Sequence, residues 1–311
     1  MDYVDSIMPS FVMMCGISGS GKSTVAKELA EEYDATIFSS DALREELFGD
    51  VNDQEHNQEV FIELHRRIKA HLSLGKSAIM DSTNLSYKKR MAFLQELKNI
   101  PCEKICILVA TPYVQCVERN AQRDRKVPKY ALERMYHSID IPYWYEGWNT
   151  IGITYPDNLV RKEWISWLDS VQDFNQDNPH HNLTLGGHCE KTLDYLFERF
   201  GGTDQRSTIL RMAGAVHDIG KCSTKTFKNS KGEITDVAHY YSHEHTGSYD
   251  SLFYGPVQRA LDVAVLIRWH MMPYVYEKDN NEKLHNKYRK LWGEQLYEDI
   301  MRLHEADKSA H

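Results

Sequence analysis

The 311-residue chain has no long apolar run. Its apolar stretches, such as "FVMMCGI", fall far short of the ~20 residues that a bilayer-spanning helix needs. That excludes a helical membrane protein, and with no signal peptide visible the expectation is a soluble, cytoplasmic chain with no membrane partner. Cysteine is sparse and unpatterned. Cys15, Cys102, Cys106, Cys116, Cys189 and Cys222 show neither disulfide-framework nor zinc-ribbon spacing, so reduced thiols are expected. Positive charge is short too: 37 Lys and Arg stand against 45 Asp and Glu, a net charge of −8. Such a chain is a poor non-specific binder of long nucleic acid, because it cannot neutralise many phosphates. A substrate held at one end by a small basic pocket is still allowed. What is present is 41% hydrophobic and 11% aromatic residues, enough for a packed core, at a length that suits two domains.

The two halves read differently. In the first, apolar runs at 11–15, 35–38, 77–80, 105–110 and 150–154 alternate with amphipathic stretches such as "TVAKELAEEY". Strand and helix in alternation predict a parallel sheet with helices on both faces. From about Leu183 onward the periodicity is helical, with a strand suspected only around "KNSKGEI". Eleven of the fifteen histidines lie at or after His180. The polar stretch "DFNQDNPHH" reads as the linker, giving domains at 1–173 and 174–311.

"GISGSGKST", Gly16 to Thr24, matches G-x-x-x-x-G-K-[ST] after a strand and before a helix. The backbone N–H groups of Gly16, Ser18, Gly19, Ser20, Gly21 and Thr24 can curl round the phosphates of a nucleoside triphosphate such as ATP. Lys22 reaches the outer phosphates, and the Ser23 hydroxyl is placed to ligate Mg²⁺. Just past the second strand, Asp41 precedes Arg44 by three residues, on one helix face. A phosphoryl acceptor needs a carboxylate for its hydroxyl proton and a cation for an anionic neighbour. The plainer alternative is that Ser40 or Asp41 caps a helix.

Further along come "DSTNLSYKKR" from Asp81 and R-N-x-x-R-x-x-x-V-P from Arg119 to Pro128. With the phosphate loop and D-x-x-R, these four motifs resemble the phage-type polynucleotide 5′-kinases over nearly the whole first half. The resemblance implies that Asp41 is the general base for a 5′-hydroxyl and that Arg44 holds the neighbouring 3′ phosphate. It implies that Arg123, supported by Arg119, stabilises the transferring phosphoryl group, and that Asp81 and Asn84 line the acceptor side.

In the second half, His217-Asp218 ends the apolar helical run "ILRMAGAV" and precedes Gly220. Adjacent helical side chains diverge by about 100°, but at a helix end both can converge on one ion. Other candidate ligands are His188, His243, His270 and Asp307. The order H…HD…H…H…D resembles the HD phosphohydrolase superfamily across essentially the whole second half. That implies an all-α domain with one or two metals of the Mn, Ni, Co, Fe or Zn kind. His188, His217, Asp218 and Asp307 would hold the first; His243 and His270, with Asp218 bridging, the second. His245 and Asp262 are rival ligands. His180, His181, His239, His285 and His304 are expected at the surface or in supporting positions. Lys221 is placed either to steady a phosphate or as a solvated lysine.

The expected architecture is thus an α/β P-loop kinase domain followed by an all-α HD domain. It resembles HD–polynucleotide kinase end-healing enzymes with the domain order reversed. Broken RNA often carries 5′-hydroxyl and 2′,3′-cyclic phosphate or 3′-phosphate ends, and a separate ligase needs the opposite pair. The expected function is a bifunctional healer of RNA or DNA ends. Two alternatives remain: a small-molecule kinase fused to an HD nucleotidase, and a non-catalytic nucleotide switch.

Overall fold

Each expected apolar run of the first half forms a strand: β1 (Ser10–Cys15), β2 (Thr36–Ser39), β3 (Ala78–Asp81), β4 (Glu103–Val109) and β5 (Thr150–Thr154). The structure, a computed structural model, describes residues 8–179, 182–278 and 280–310. Between the strands lie α1 (Lys22–Glu32), α2 (Ser40–Phe48), α3 (Asn57–Ser73), α4 (Tyr87–Glu96), α5 (Tyr113–Ala121) and α6 (Lys129–Tyr136). The sheet order is β2-β3-β1-β4-β5, and every pair is parallel. A parallel strand is covered on both faces, and β1 is buried at all six positions. Its alternate side chains face opposite ways: Val12 and Met14 pack with Ala26 of α1, while the Phe11 ring lies 5.3 Å from Phe93 of α4. Helices therefore cover both faces. The chain leaves β1 towards β2 and then returns across it to β4, so the order reverses beside β1. That reversal opens a crevice at the carboxyl ends of the strands.

A buried ion pair braces this end of the sheet. The Arg90 guanidinium on α4 donates from Nε and Nη2 to the two carboxylate oxygens of Glu146, both at 2.7 Å. Neither side chain is exposed. Trp148 Nε1 donates to the same carboxylate at 3.0 Å, and Arg90 Nη1 donates to Asn84 O at 2.8 Å. Removing one partner leaves the other charge buried and unpaired, which costs about 3–5 kcal/mol. Glu146→Gln is accordingly expected to lower the urea midpoint strongly, whereas the paired change Arg90→Met with Glu146→Leu recovers most of it.

The chain divides into two compact units, Met1–Met135 with Pro142–Asp157, and Tyr136–Ile141 with Asn158–His311. The expected division after residue 173 is thus displaced. The reason is α7 (Trp164–Ser170), which buries Trp167 and Leu168 and packs against α8 (Leu185–Phe200) and α9 (Gln205–Val216). The rest of the second unit comprises α10 (Lys221–Thr224), β6 (Thr226–Lys228), β7 (Ile234–His239), α11 (His243–Ser251), α12 (Ala260–Trp269), α13 (Met272–Lys278) and α14 (Glu282–Ser309). The unit is therefore helical but not purely so: β6 and β7 pair antiparallel where "KNSKGEI" suggested a strand. Gly232, at φ +83°, takes the left-handed turn that glycine favours. Gly214 brings α8 and α9 close, since a Cβ there would sit 2.4 Å from Leu196 Cδ1. No described helix is long and apolar enough to cross a membrane.

Within the second unit Tyr136 donates to Asp250 at 2.5 Å. Burial pushes the Asp250 carboxyl up to about 7, against the opposing effect of the phenol. The folded state therefore binds this proton more tightly than the unfolded chain. That stability is full below about pH 4 and is lost as pH rises through 7. Asp250→Asn is expected to flatten the decline of the urea midpoint over roughly pH 5–8.

Candidate functional sites

The phosphate loop links the carboxyl end of β1 to α1. Its path requires glycine: Gly19 and Gly21 take φ of +86° and +103°, and a Cβ on Gly19 would lie 2.4 Å from Cys116 O. The loop is held by Thr111 Oγ1 and Arg119 Nη1, which donate to Ser20 O at 2.8 and 3.2 Å. Lys22 is buried and donates to Ile17 O at 2.9 Å. Burial lowers its pKa, opposed by the Asp81 carboxylate. Ser20 Oγ is buried with no hydrogen-bond partner among the described residues, and the Ser23 hydroxyl is open at the mouth. An orphaned donor, an ammonium inside the loop and an open hydroxyl fit a nucleotide with its Mg²⁺.

Asp41 sits in the first turn of α2, at the same end of the parallel sheet. The cap of that helix is Ser39, whose Oγ accepts from Ala42 N at 3.4 Å. Neither Ser40 nor Asp41 caps it, which leaves the Asp41 carboxylate free for cations. Arg44 Nη1 donates to Asp41 Oδ1 at 2.8 Å, and Arg44 Nη2 donates to Asn57 Oδ1 at 2.7 Å. Asp41 is 55% exposed, while Arg44 is buried. Asn84, at φ +46°, ties its amide to Met14 O at 2.8 Å and so fixes the turn after β3 against the end of β1. Asp81 ends β3 and acts electrostatically on Lys22. Arg123 is exposed in the turn after α5 and also acts on Lys22. A neighbour that the motifs did not single out, Arg125, reaches Asp41 Oδ2 at 2.5 Å.

In the second unit all six expected ligands converge. His188 lies on α8, His217 caps the end of α9, His243 opens α11, His270 caps the end of α12 and Asp307 lies near the end of α14. They form two groups, His188–His217–Asp307 and Asp218–His243–His270, each with ligand atoms within 4.8 Å of one another and all buried. In the first, His188 Nε2 lies 3.1 Å from His217 Nε2 and 3.0 Å from Asp307 Oδ1. In the second, His243 Nε2 lies 3.3 Å from His270 Nε2. Asp218 stands between them. Its Oδ2 is 3.6 and 3.5 Å from His188 and His217, and its Oδ1 is 3.3 and 3.7 Å from His243 and His270.

Backbone carbonyls set the tautomers. His217, His243 and His270 place Nδ1 at 2.9, 2.9 and 2.6 Å from Gly214 O, Tyr240 O and Ile267 O. A carbonyl only accepts, so Nδ1 carries the proton and a neutral ring turns its Nε2 lone pair inward. Facing lone pairs and carboxylates repel unless a cation joins them, and this donor set suits divalent transition metals. The charges are consistent with that. Burial raises Asp218 and Asp307, yet Lys221 and His217 for the first, and His188 and His217 for the second, hold both well below the usual carboxylate range. Burial depresses His217, but Asp218 drives it well above its ordinary value, so the carboxylate draws to Nε2 a proton that a bound metal would replace.

Lys221 is not a solvated lysine. It is buried, with Nζ at 2.7 Å from Asp218 Oδ2 and donating to Gln176 Oε1 at 2.8 Å. Neither rival ligand joins the groups: His245 Nδ1 pairs with Ile139 O at 3.1 Å, and Asp262 belongs to the first turn of α12. His304, on α14, is buried and pairs with Glu277 at 3.0 Å. His285 and His239 pair with Tyr297 and Thr235. His180 and His181 lie outside the described residues. Sequence reasoning missed Gln176 and Tyr274, whose hydroxyl donates to Asp307 Oδ2 at 3.1 Å. A neutral amide and a lone tyrosine carry no spacing signal.

Among solved structures, a protein of Chloroflexus aurantiacus j-10-fl described as a kinase is 24% identical, at TM-score 0.41, over 48% of this chain and 89% of that one. A gluconokinase from Sinorhizobium meliloti 1021 is 18% identical, at TM-score 0.36, over 49% and 85%. A chain of the Pnkp1/Rnl/Hen1 RNA repair complex is 19% identical, at TM-score 0.34, over 41% and 43%. Residues 11–142 match the family model described as an AAA domain, over the unit that carries the phosphate loop and the five-stranded parallel sheet.

Proposed function

We propose that the chain heals nucleic-acid ends with two activities: ATP-dependent phosphorylation of a 5′-hydroxyl by the first unit, and metal-dependent removal of 2′,3′-cyclic, 2′- or 3′-phosphate by the second, an HD-type domain. One observation carries the pairing. Each unit gathers a polar cluster of its own that suits phosphate chemistry, the loop with Lys22 and Asp41 in one and the His/Asp groups beside Asp218 in the other.

In the kinase step Asp41 takes the proton of the 5′-hydroxyl as its oxygen attacks the γ-phosphorus, and ADP leaves. Lys22, Arg119 and Arg123 offset the charge on the transferring group, and the Ser23 hydroxyl would hold a Mg²⁺ ion. In the second unit His188, His217 and Asp307 would hold one divalent metal and His243 and His270 the other, Asp218 serving both. Bound there, such ions supply Lewis acidity and activate water at neutral pH. Lys221 holds Asp218 ionised and in place.

The test is a pair of assays on the whole protein. A 5′-hydroxyl oligomer with ATP and Mg²⁺ should be phosphorylated. A 2′,3′-cyclic-phosphate oligomer with Mn²⁺, Ni²⁺ or Co²⁺ should be opened or cleared of phosphate. Turnover of a nucleoside or sugar, with none of either oligomer, replaces this reading by a small-molecule kinase with a nucleotidase. No turnover of any kind leaves a nucleotide switch.

A further inference from the structure

We infer that Arg125 is the residue that recognises an anionic group beside the acceptor hydroxyl, a step that rests on the kinase reading above. The Asp41 carboxylate is held from two sides: Oδ1 accepts from Arg44 at 2.8 Å and Oδ2 accepts from Arg125 at 2.5 Å. The two guanidiniums are unequal. Arg44 is 4% exposed. Its Nη1 and Nη2 are engaged by Asp41 and Asn57, and its Nε is buried with no partner among the described residues. It has little freedom to turn towards an incoming molecule. Arg125 is one-third exposed and lies in the turn between α5 and α6. Its Nε and Nη2 donate to Asn52 Oδ1 and Val51 O, at 3.0 and 2.8 Å, on the segment after α2.

For Asp41 to accept a proton, one of its oxygens must face the acceptor hydroxyl. The contact that can yield is the one to Arg125. When Nη1 lets go, Asn52 and Val51 still hold the other nitrogens, so the freed N–H stays beside the acceptor. One carboxylate against two guanidiniums leaves a net positive charge, and a planar fork matches a phosphate oxygen pair. An acceptor with a phosphate next to its hydroxyl replaces the carboxylate as partner of Arg125. A neutral acceptor offers nothing in exchange. Arg125 thus sets specificity for charged acceptors, while Arg44 positions the base.

The experiment compares wild type and Arg125→Gln on two 5′-hydroxyl oligonucleotides, one with an ordinary first phosphodiester and one with a neutral methylphosphonate there. A charge-assisted hydrogen bond lost at an acceptor corresponds to a KM about tenfold or more higher. That rise is expected for the charged acceptor alone, with kcat, the KM for ATP and the neutral acceptor all within about twofold of wild type. Arg125→Lys, which keeps charge without the fork, should recover part of the difference. Equal losses on both acceptors, or a fall in kcat at unchanged KM, overturn the assignment while leaving the kinase intact. If wild type phosphorylates neither oligonucleotide, the kinase reading itself fails and takes this role with it.

Discussion

Asp218→Ala is expected to remove phosphoester hydrolysis by the second unit, by roughly a thousandfold or more, and to leave 5′ phosphorylation untouched. The magnitude follows from charge. Two metals on a transferring phosphate contribute several kcal/mol, and each 1.36 kcal/mol is about a factor of ten. Asp218 is the only side chain shared by the two ligand groups among the described residues, with one oxygen turned to each. Its loss removes the carboxylate that both proposed metal sites would share and also deprives the Lys221 ammonium of its ion-pair partner at 2.7 Å. The alanine variant is thus expected to unfold at lower temperature as well. Asp218→Asn keeps the shape and a hydrogen-bonding oxygen, so it separates loss of metal from loss of fold. Metal content by mass spectrometry, the thermal midpoint and turnover of a 2′,3′-cyclic-phosphate oligomer read the three consequences. Hydrolysis that survives in both variants, with metal still bound, would sink the role given to this carboxylate.

The sequence made some features legible and hid others, for physical reasons. The five strands were readable because parallel strands buried on both faces are short continuous apolar runs, as in "FVMMC". The candidate ligands are legible as an order of residue types, but helical periodicity does not show that they converge. Convergence depends on helix ends. His217 and His270 follow the last turns of α9 and α12, and His243 starts α11. Composition sets the boundary at the polar stretch "DFNQDNPHH", whereas the compact units divide after Asp157, because Trp167 and Leu168 of α7 are buried in the second unit. Arg125 is not legible because three arginines within seven residues, at 119, 123 and 125, lie partly in a turn with no period to say which one reaches Asp41.

Lys22→Ala should produce the converse split, with phosphorylation down by about a thousandfold and hydrolysis unchanged. Removing one preorganised donor from a charge-developing site costs roughly 10²–10³ in rate, and Lys22 carries both a donor and a full charge. Its ammonium is buried inside the loop, with Ile17 O at 2.9 Å as its hydrogen-bond partner. Burial lowers its pKa and Asp81 opposes that. Phosphates arriving in the loop favour the charged form further, so binding of ATP and protonation of Lys22 reinforce each other. Arginine is not expected to rescue. The lysine is buried in the loop with its ammonium on Ile17 O, and a planar guanidinium needs more width than an ammonium. The decisive measurement sets Lys22→Ala, Lys22→Arg and Asp218→Ala side by side in both assays. Two active centres predict that each substitution silences one reaction and spares the other. If Lys22→Ala lowers both reactions equally, a single nucleotide-dependent activity lies behind them and the two-centre mechanism is wrong.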